Sequence, residues 1–128
     1  MARILVIDDE ELARFTVREI LESGGHEVIE ARDGVEGLAM QRAQRCDLVV
    51  TDVIMPRKEG VEMIIEMKQE QPALKIIAIS GGGRTRNLDF LKLAKEFGAD
   101  KVLAKPFSAE DLIGAVRECL LAGLRSAT

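Results

Sequence analysis

The chain has 128 residues, 47% of them hydrophobic and 31% charged, a balance that suits one soluble domain with a single core and leaves little room for a second. A net charge of −4 with no Lys/Arg block excludes the electrostatic footprint of a nucleic-acid binder, and Arg14, Arg18 and Arg42 are expected to solvate helix faces. Cys46 and Cys119 form no CxxC and read as reduced thiols, and the apolar run after Arg3 is too short for a signal peptide or membrane span, so the expected location is cytoplasmic.

In chain order, Ile4 to Ile7 is the first short, β-branched apolar run of the kind that strands buried on both faces require, and it ends at Asp8 and Asp9. A helix follows with Ala13, Val17, Ile20 and Leu21 on one face, and Gly24 is expected to supply the left-handed residue that ends it. His26 reads as a surface turn residue, and Glu27 to Ala31 as a weaker strand at the outside of the sheet. Asp33 with Glu36 forms a capping box for the second helix. Leu48 to Thr51 leads into Asp52, and Val61, Ile64 and Ile65 mark the apolar face of the third helix. Ile76 to Ile79 ends at Ser80; Phe90, Leu93, Ala94 and Phe97 then share a helical face that Gly98 closes. Val102 to Ala104 leads into Lys105, and a second capping box, Ser108 with Asp111, opens a last helix with Leu112, Val116, Cys119 and Leu120 on its apolar face. Five β-α repeats with right-handed crossovers place helices on both faces of one parallel sheet, a doubly wound α/β fold.

In such a sheet the carboxyl ends of the strands share one edge, and ligands bind in the crevice outside it. Asp8, Asp9, Asp52, Ser80 and Lys105 all stand at strand ends. Converging carboxylates repel unless something positive sits among them, and a hard divalent cation is the simplest answer: Mg2+ takes oxygen ligands, commonly one or two carboxylates together with a phosphate. Lys105 adds a cation for carboxylate or phosphate oxygens, Ser80 a hydroxyl donor, and Gly81, Gly82 and Gly83 open the backbone to an anion. The set suits a phosphoryl group carried on Asp52 as nucleophile. Each residue also has a plainer role. Asp8 or Asp9 suits a helix cap near Glu10, a lone strand-end Asp suits a turn, and the glycines taken alone suit a simple loop.

These residues together resemble the receiver domains of two-component response regulators, over essentially the whole chain. The resemblance rests on Asp8-Asp9 after the first strand, Asp52-Val53-Ile54-Met55-Pro56 with Gly60, Ser80 ending the fourth strand, and Lys105-Pro106-Phe107 after the fifth. It implies a flavodoxin-like fold with strand order 2-1-3-4-5 and phosphorylation of Asp52 by a phosphohistidine of a sensor kinase or phosphotransfer protein. It also implies Mg2+, or alternatively Mn2+, held by Asp9, Asp52 and the Ile54 carbonyl, with Asp8 acting through water. Ser80, Gly81 and Lys105 would contact the phosphoryl group, and the Lys105-Pro106 peptide would be cis. Kinase docking is expected on the first helix around Ala13 to Leu21 with the loop after Lys105, and readout on the face from Leu88 to Leu120.

Departures from the family pattern are also legible. Val102 stands where receivers usually carry the Tyr or Phe of the aromatic switch, so the loop from Gly81 to Arg86, with the start of the helix near Leu88, is expected to carry the conformational change instead. The two positions that tune acyl-phosphate lifetime in the family carry Ile54 and Gly82, neither of which can position an attacking water, which implies slower self-dephosphorylation than in a variant with Asn at position 54. The expected protein is thus a single receiver domain over residues 1–128 without an output domain. It is expected to be a monomer, with dimerisation on phosphorylation as the alternative, and to catalyse only its own modification. Two other readings compete: a degenerate receiver that binds partners without phosphorylation, and an aspartyl-phosphate phosphatase, which Ile54 in place of a second Asp disfavours.

Overall fold

The strands alternate sides residue by residue, and that alternation builds two cores. The structure, a computed structural model, describes residues 2–53, 60–80, 92, 94–96 and 98–127. Strands β1 (Arg3–Ile7), β2 (Glu27–Ala31), β3 (Leu48–Asp52), β4 (Lys75–Ser80) and β5 (Lys101–Ala104) form one parallel sheet in the order β2-β1-β3-β4-β5. Ile4 and Val6 of β1, Leu48 and Val50 of β3, and Ile77 and Ile79 of β4 pack to one side. There they meet Val17 and Leu21 of α1 (Glu11–Ser23) and Leu112, Val116 and Cys119 of the final helix, Ala109–Ala127. Leu5 and Ile7, Val49, and Ile76 and Ala78 pack to the other side, against α2 (Gly34–Gln44) and α3 (Gly60–Glu70). The period of two along a doubly buried strand is why the buried residues of these runs are apolar, with Thr51 of β3 a fully buried polar exception. Cys46 and Cys119 are buried free thiols, each pushed up to about 11 by burial.

Several local expectations hold and others shift. Ser108 and Asp111 form a full capping box, with Ser108 Oγ accepting from Asp111 N–H and Asp111 Oδ2 from Ser108 N–H, both at 3.0 Å. Asp33 caps Glu36 N–H at 2.8 Å, but Glu36 sends its carboxylate to Arg32 N–H, one residue before the cap. Gly24 is not left-handed: its φ is −83°, and Gly25, at +89°, supplies that conformation. His26 N–H bonds Leu21 carbonyl and Gly25 N–H bonds Glu22 carbonyl, so the helix ends in a Schellman motif one residue later than expected. Gly98 is left-handed as read, at φ +128°. His26 is half-buried rather than a plain surface residue, because its Nδ1 accepts Ala2 N–H at 3.1 Å. On α3 the buried side chains are Met63, Ile64 and Met67, while Val61 and Ile65 are partly buried. Flexible thioethers fill the space there in place of the branched residues. Of Phe90, Leu93, Ala94 and Phe97, Ala94 is described and is buried; the others, with the loop from Gly81 to Arg86, lie outside the described residues.

Candidate functional site

Backbone hydrogen bonds run one residue past the strands, and this holds the site together. Asp8 N–H donates to the Ala31 carbonyl at 3.2 Å, Val53 N–H to Ile79 at 3.0 Å, and Lys105 N–H to Ser80 at 2.8 Å. Asp8, Lys105 and, through its neighbour Val53, Asp52 are therefore placed by the strand beside each. Asp8, Asp9 and Asp52 bring carboxylate oxygens within 4.8 Å of one another. Lys105 Nζ lies 3.6 Å from Asp8 Oδ2. The Lys105-Pro106 peptide is cis, as the resemblance implies.

The three carboxylates differ in environment. Asp8 is buried, Asp52 half-buried and Asp9 exposed. Burial raises the Asp8 pKa; the Glu10 N–H at Asp8 Oδ1 (2.9 Å) and the Lys105 charge oppose the rise, and the Asp9 charge adds to it. Asp8 thus does a little of what the plainer reading gave it: it closes a turn onto Glu10 N–H. The N-cap of α1 is nevertheless Glu10, with no side-chain capping bond. Ser80 is fully buried, and its Oγ has no hydrogen-bond partner among the described residues. A buried hydroxyl without a partner costs free energy, of order 1–3 kcal/mol, until a ligand oxygen satisfies it. An oxygen-only donor set with more negative than positive charge suits a hard cation such as Mg2+, and Ser80 with Lys105 suits the anion that such a cation accompanies. The residues fit both groups.

The structure thus brings together Asp8, Asp9, Asp52 and Lys105, with Ser80 beside Lys105 through the β4–β5 ladder. Ile54 and Gly81, the other two predicted site residues, lie outside the described residues, as do Met55 and Pro56.

The expectation that the arginines solvate helix faces is corrected for Arg14, whose side chain is 13% exposed; Arg18 and Arg42, at 42% and 58%, keep to exposed helix faces in ion pairs. Arg14 donates to the Asp8 carbonyl at 2.8 Å and pairs with Glu30 at 2.9 Å; Arg18 pairs with Glu30 and Glu22; Arg42 pairs with Glu70. A sequence shows which face of a helix is polar, but not which carboxylate a neighbouring element sets opposite it.

A sequence model of the response regulator receiver domain matches residues 4–117. The transcriptional regulatory protein PdtaR of Mycobacterium tuberculosis is 35% identical over 115 residues, covering 89% of this chain and 54% of that protein. The chain spans about half the length of the curated relatives it matches. NtrX of Brucella abortus superposes with a TM-score of 0.92 at 33% identity, covering 98% of this chain and 28% of that one. A response regulator receiver domain protein from Clostridium thermocellum superposes with a TM-score of 0.88 at 35% identity, covering 95% of this chain and 96% of that one. Receiver domains are signalling domains of two-component systems, which implies a histidine kinase partner, and they generally bind Mg2+ in an acidic pocket. Sequence, fold and pocket agree, and the chain belongs to the response regulator receiver family.

Proposed function

We propose that this chain takes a phosphoryl group onto Asp52 from a phosphohistidine of a sensor kinase or phosphotransfer protein, and signals by changing which protein it binds. The observation that carries this reading is the meeting of three carboxylates within 4.8 Å beside the Lys105 ammonium. An Asp52 carboxylate oxygen attacks phosphorus, the P–N bond to the donor imidazole breaks, and the imidazole leaves with its electron pair. Asp9, Asp52 and the Ile54 carbonyl would hold Mg2+, with Asp8 acting through water, and the cation would neutralise charge on the phosphoryl oxygens. Lys105 pairs with one of those oxygens, and the Ser80 hydroxyl and Gly81 amide donate to others.

A groove of about 440 Å3 lined by Ala13, Thr16, Val17, Ile20, Lys105, Pro106 and Phe107 supports docking of the phosphoryl donor on α1 and the loop after Lys105. Leu12 and Phe15, exposed on the same helix, line a separate groove with Glu11, Arg14 and Glu30. Readout is assigned to the face from Leu88 to Leu120. There Val102, in place of an aromatic, is half-buried against the core, and Lys101 pairs with Glu118. Among the described residues no helix is long and apolar enough to cross a membrane, and the proposed location is cytoplasmic.

Intact mass after incubation with acetyl phosphate and Mg2+ tests the chemistry. The expected result is a Mg2+-dependent phosphoryl adduct on the wild type and none on Asp52→Asn; an adduct on both would place the modification elsewhere.

A further inference from the structure

Arg14 ties three elements together next to the acidic pocket. Its Nη1 donates to the carbonyl of Asp8 at 2.8 Å and its Nε to Glu30 Oε1 at 2.9 Å, while Arg18 Nη1 donates to Glu30 Oε2 at 2.5 Å. The Arg14 side chain is only 13% exposed, so this is not a loose surface pair. Burial works against an ionised Glu30, but hydrogen bonds from Arg18 and Arg14 outweigh it and hold the carboxyl below its ordinary range. Glu30 is therefore a permanent anchor at neutral pH. Its neighbour Ala31 accepts the Asp8 N–H.

The carbonyl that Arg14 holds belongs to the peptide group joining Asp8 to Asp9. Asp8 is thus fixed at its N–H from β2 and at its carbonyl from α1, and its own carboxylate is fixed by Glu10 N–H and Lys105. Asp9 is exposed, and the orientation of its backbone is inherited from that peptide plane. A guanidinium holds two acceptors at a set angle in one plane, which a single flexible ammonium does not.

We propose that Arg14, clamped by Glu30 and Arg18, is a positioning residue for the cation site, setting the Asp8–Asp9 peptide plane and with it the aim of the Asp9 carboxylate. The proposal rests on the Mg2+-dependent reading of the same pocket. Loss of an outer partner of this kind weakens metal binding by about tenfold at the low end.

The test is an NMR titration of Mg2+ into the whole chain, following the Asp9 and Glu10 amides, with melting temperatures measured without Mg2+. The proteins are wild type, Arg14→Gln, Glu30→Gln and Arg42→Gln. The last loses the Arg42–Glu70 pair between α2 and α3, which includes no carboxylate of the pocket. Arg14→Gln is expected to raise the Mg2+ Kd about tenfold and to move the Asp9 amide before any Mg2+ is added; Glu30→Gln raises the Kd by a smaller factor, and Arg42→Gln leaves it unchanged. A wild-type Kd in Arg14→Gln overturns the proposal while leaving the phosphoacceptor reading intact. Equal loss in Arg14→Gln and Arg42→Gln makes the effect one of general stability and overturns it too. A wild type that neither binds Mg2+ nor forms the adduct overturns both readings. Should Arg14→Gln fail to fold, Glu30→Gln decides by the same criterion.

Discussion

The ammonium of Lys105, at the end of β5, stands 3.6 Å from the carboxylate of Asp8, at the end of β1, with β3 and β4 lying between their strands in the sheet. That one contact spans the pocket and sets a balance of charge that substitution can tip. Burial raises the Asp8 pKa, so the folded protein holds this proton more tightly than the unfolded chain does. Asp8 therefore contributes stability that is full below the ordinary carboxylate range and is lost as pH rises through the raised value. Asp8→Asn, without Mg2+, is expected to stabilise the fold at neutral pH by about 1 kcal/mol, and to weaken Mg2+ binding. Thermal melts at pH 7 and pH 4 check the sign, because the gain must shrink in acid. Lys105→Met should push the Asp8 titration further up, visible by carboxyl 13C shifts in Mg2+-free buffer.

Ser80 presents the opposite trade between stability and function. Its hydroxyl is fully buried with no partner among the described residues. Ser80→Ala removes an unsatisfied group, and the resting protein should gain about 1 kcal/mol in stability. The same change should slow phosphorylation by acetyl phosphate, since a donor to the phosphoryl oxygens is lost. Denaturant melts and the rate of adduct formation are measured on the same sample; a loss of stability would mean that the hydroxyl already has a partner.

Gly37 of α2 packs closely against Ile7, the last residue of the strand that leads into Asp8. A Cβ there would lie 2.5 Å from Ile7 Cδ1, 3.1 Å from Ile7 Cγ1 and 3.3 Å from Met63 Sδ. Ile7 is buried, so moving its methyl aside presses it on packed neighbours. Overpacking outweighs the better helix propensity of alanine, and Gly37→Ala is expected to cost about 1 kcal/mol net. Ile7→Val removes the clashing methyl, so the two changes together should cost less than their sum in a double-mutant cycle.

His26 gives the N-terminal edge a pH dependence. Burial lowers its pKa from the ordinary 6.5, and its neutral Nδ1 accepts Ala2 N–H. The unfolded chain therefore binds this proton more readily, so the contribution is full above pH 6.5 and falls as pH drops through the lowered folded value. The difference in melting temperature between wild type and His26→Gln should be level above pH 7 and shift against the wild type as pH falls below about 6. Parallel curves across that range would show that His26 stays neutral or does not bear on folding.

The sequence by itself determined the order and kind of the elements, because a strand buried on both faces must be apolar at nearly every position and a helix covering it must repeat at 3.6 residues. It also named Asp8, Asp9, Asp52, Ser80 and Lys105, since each interrupts an apolar run at the point where a parallel sheet delivers its strand ends to one edge. Both are local rules of period and position. The tertiary structure alone decided which groups face one another: that Arg14 holds the Asp8 carbonyl rather than water, that His26 ties down Ala2, and that Met63 and Met67 fill the core beside Ile64. It also decided that Gly25 rather than Gly24 turns left-handed, since both are glycines and the choice falls to the hydrogen bonds that close the helix. Such pairings depend on distances between elements far apart in the chain, and no period along the sequence encodes them.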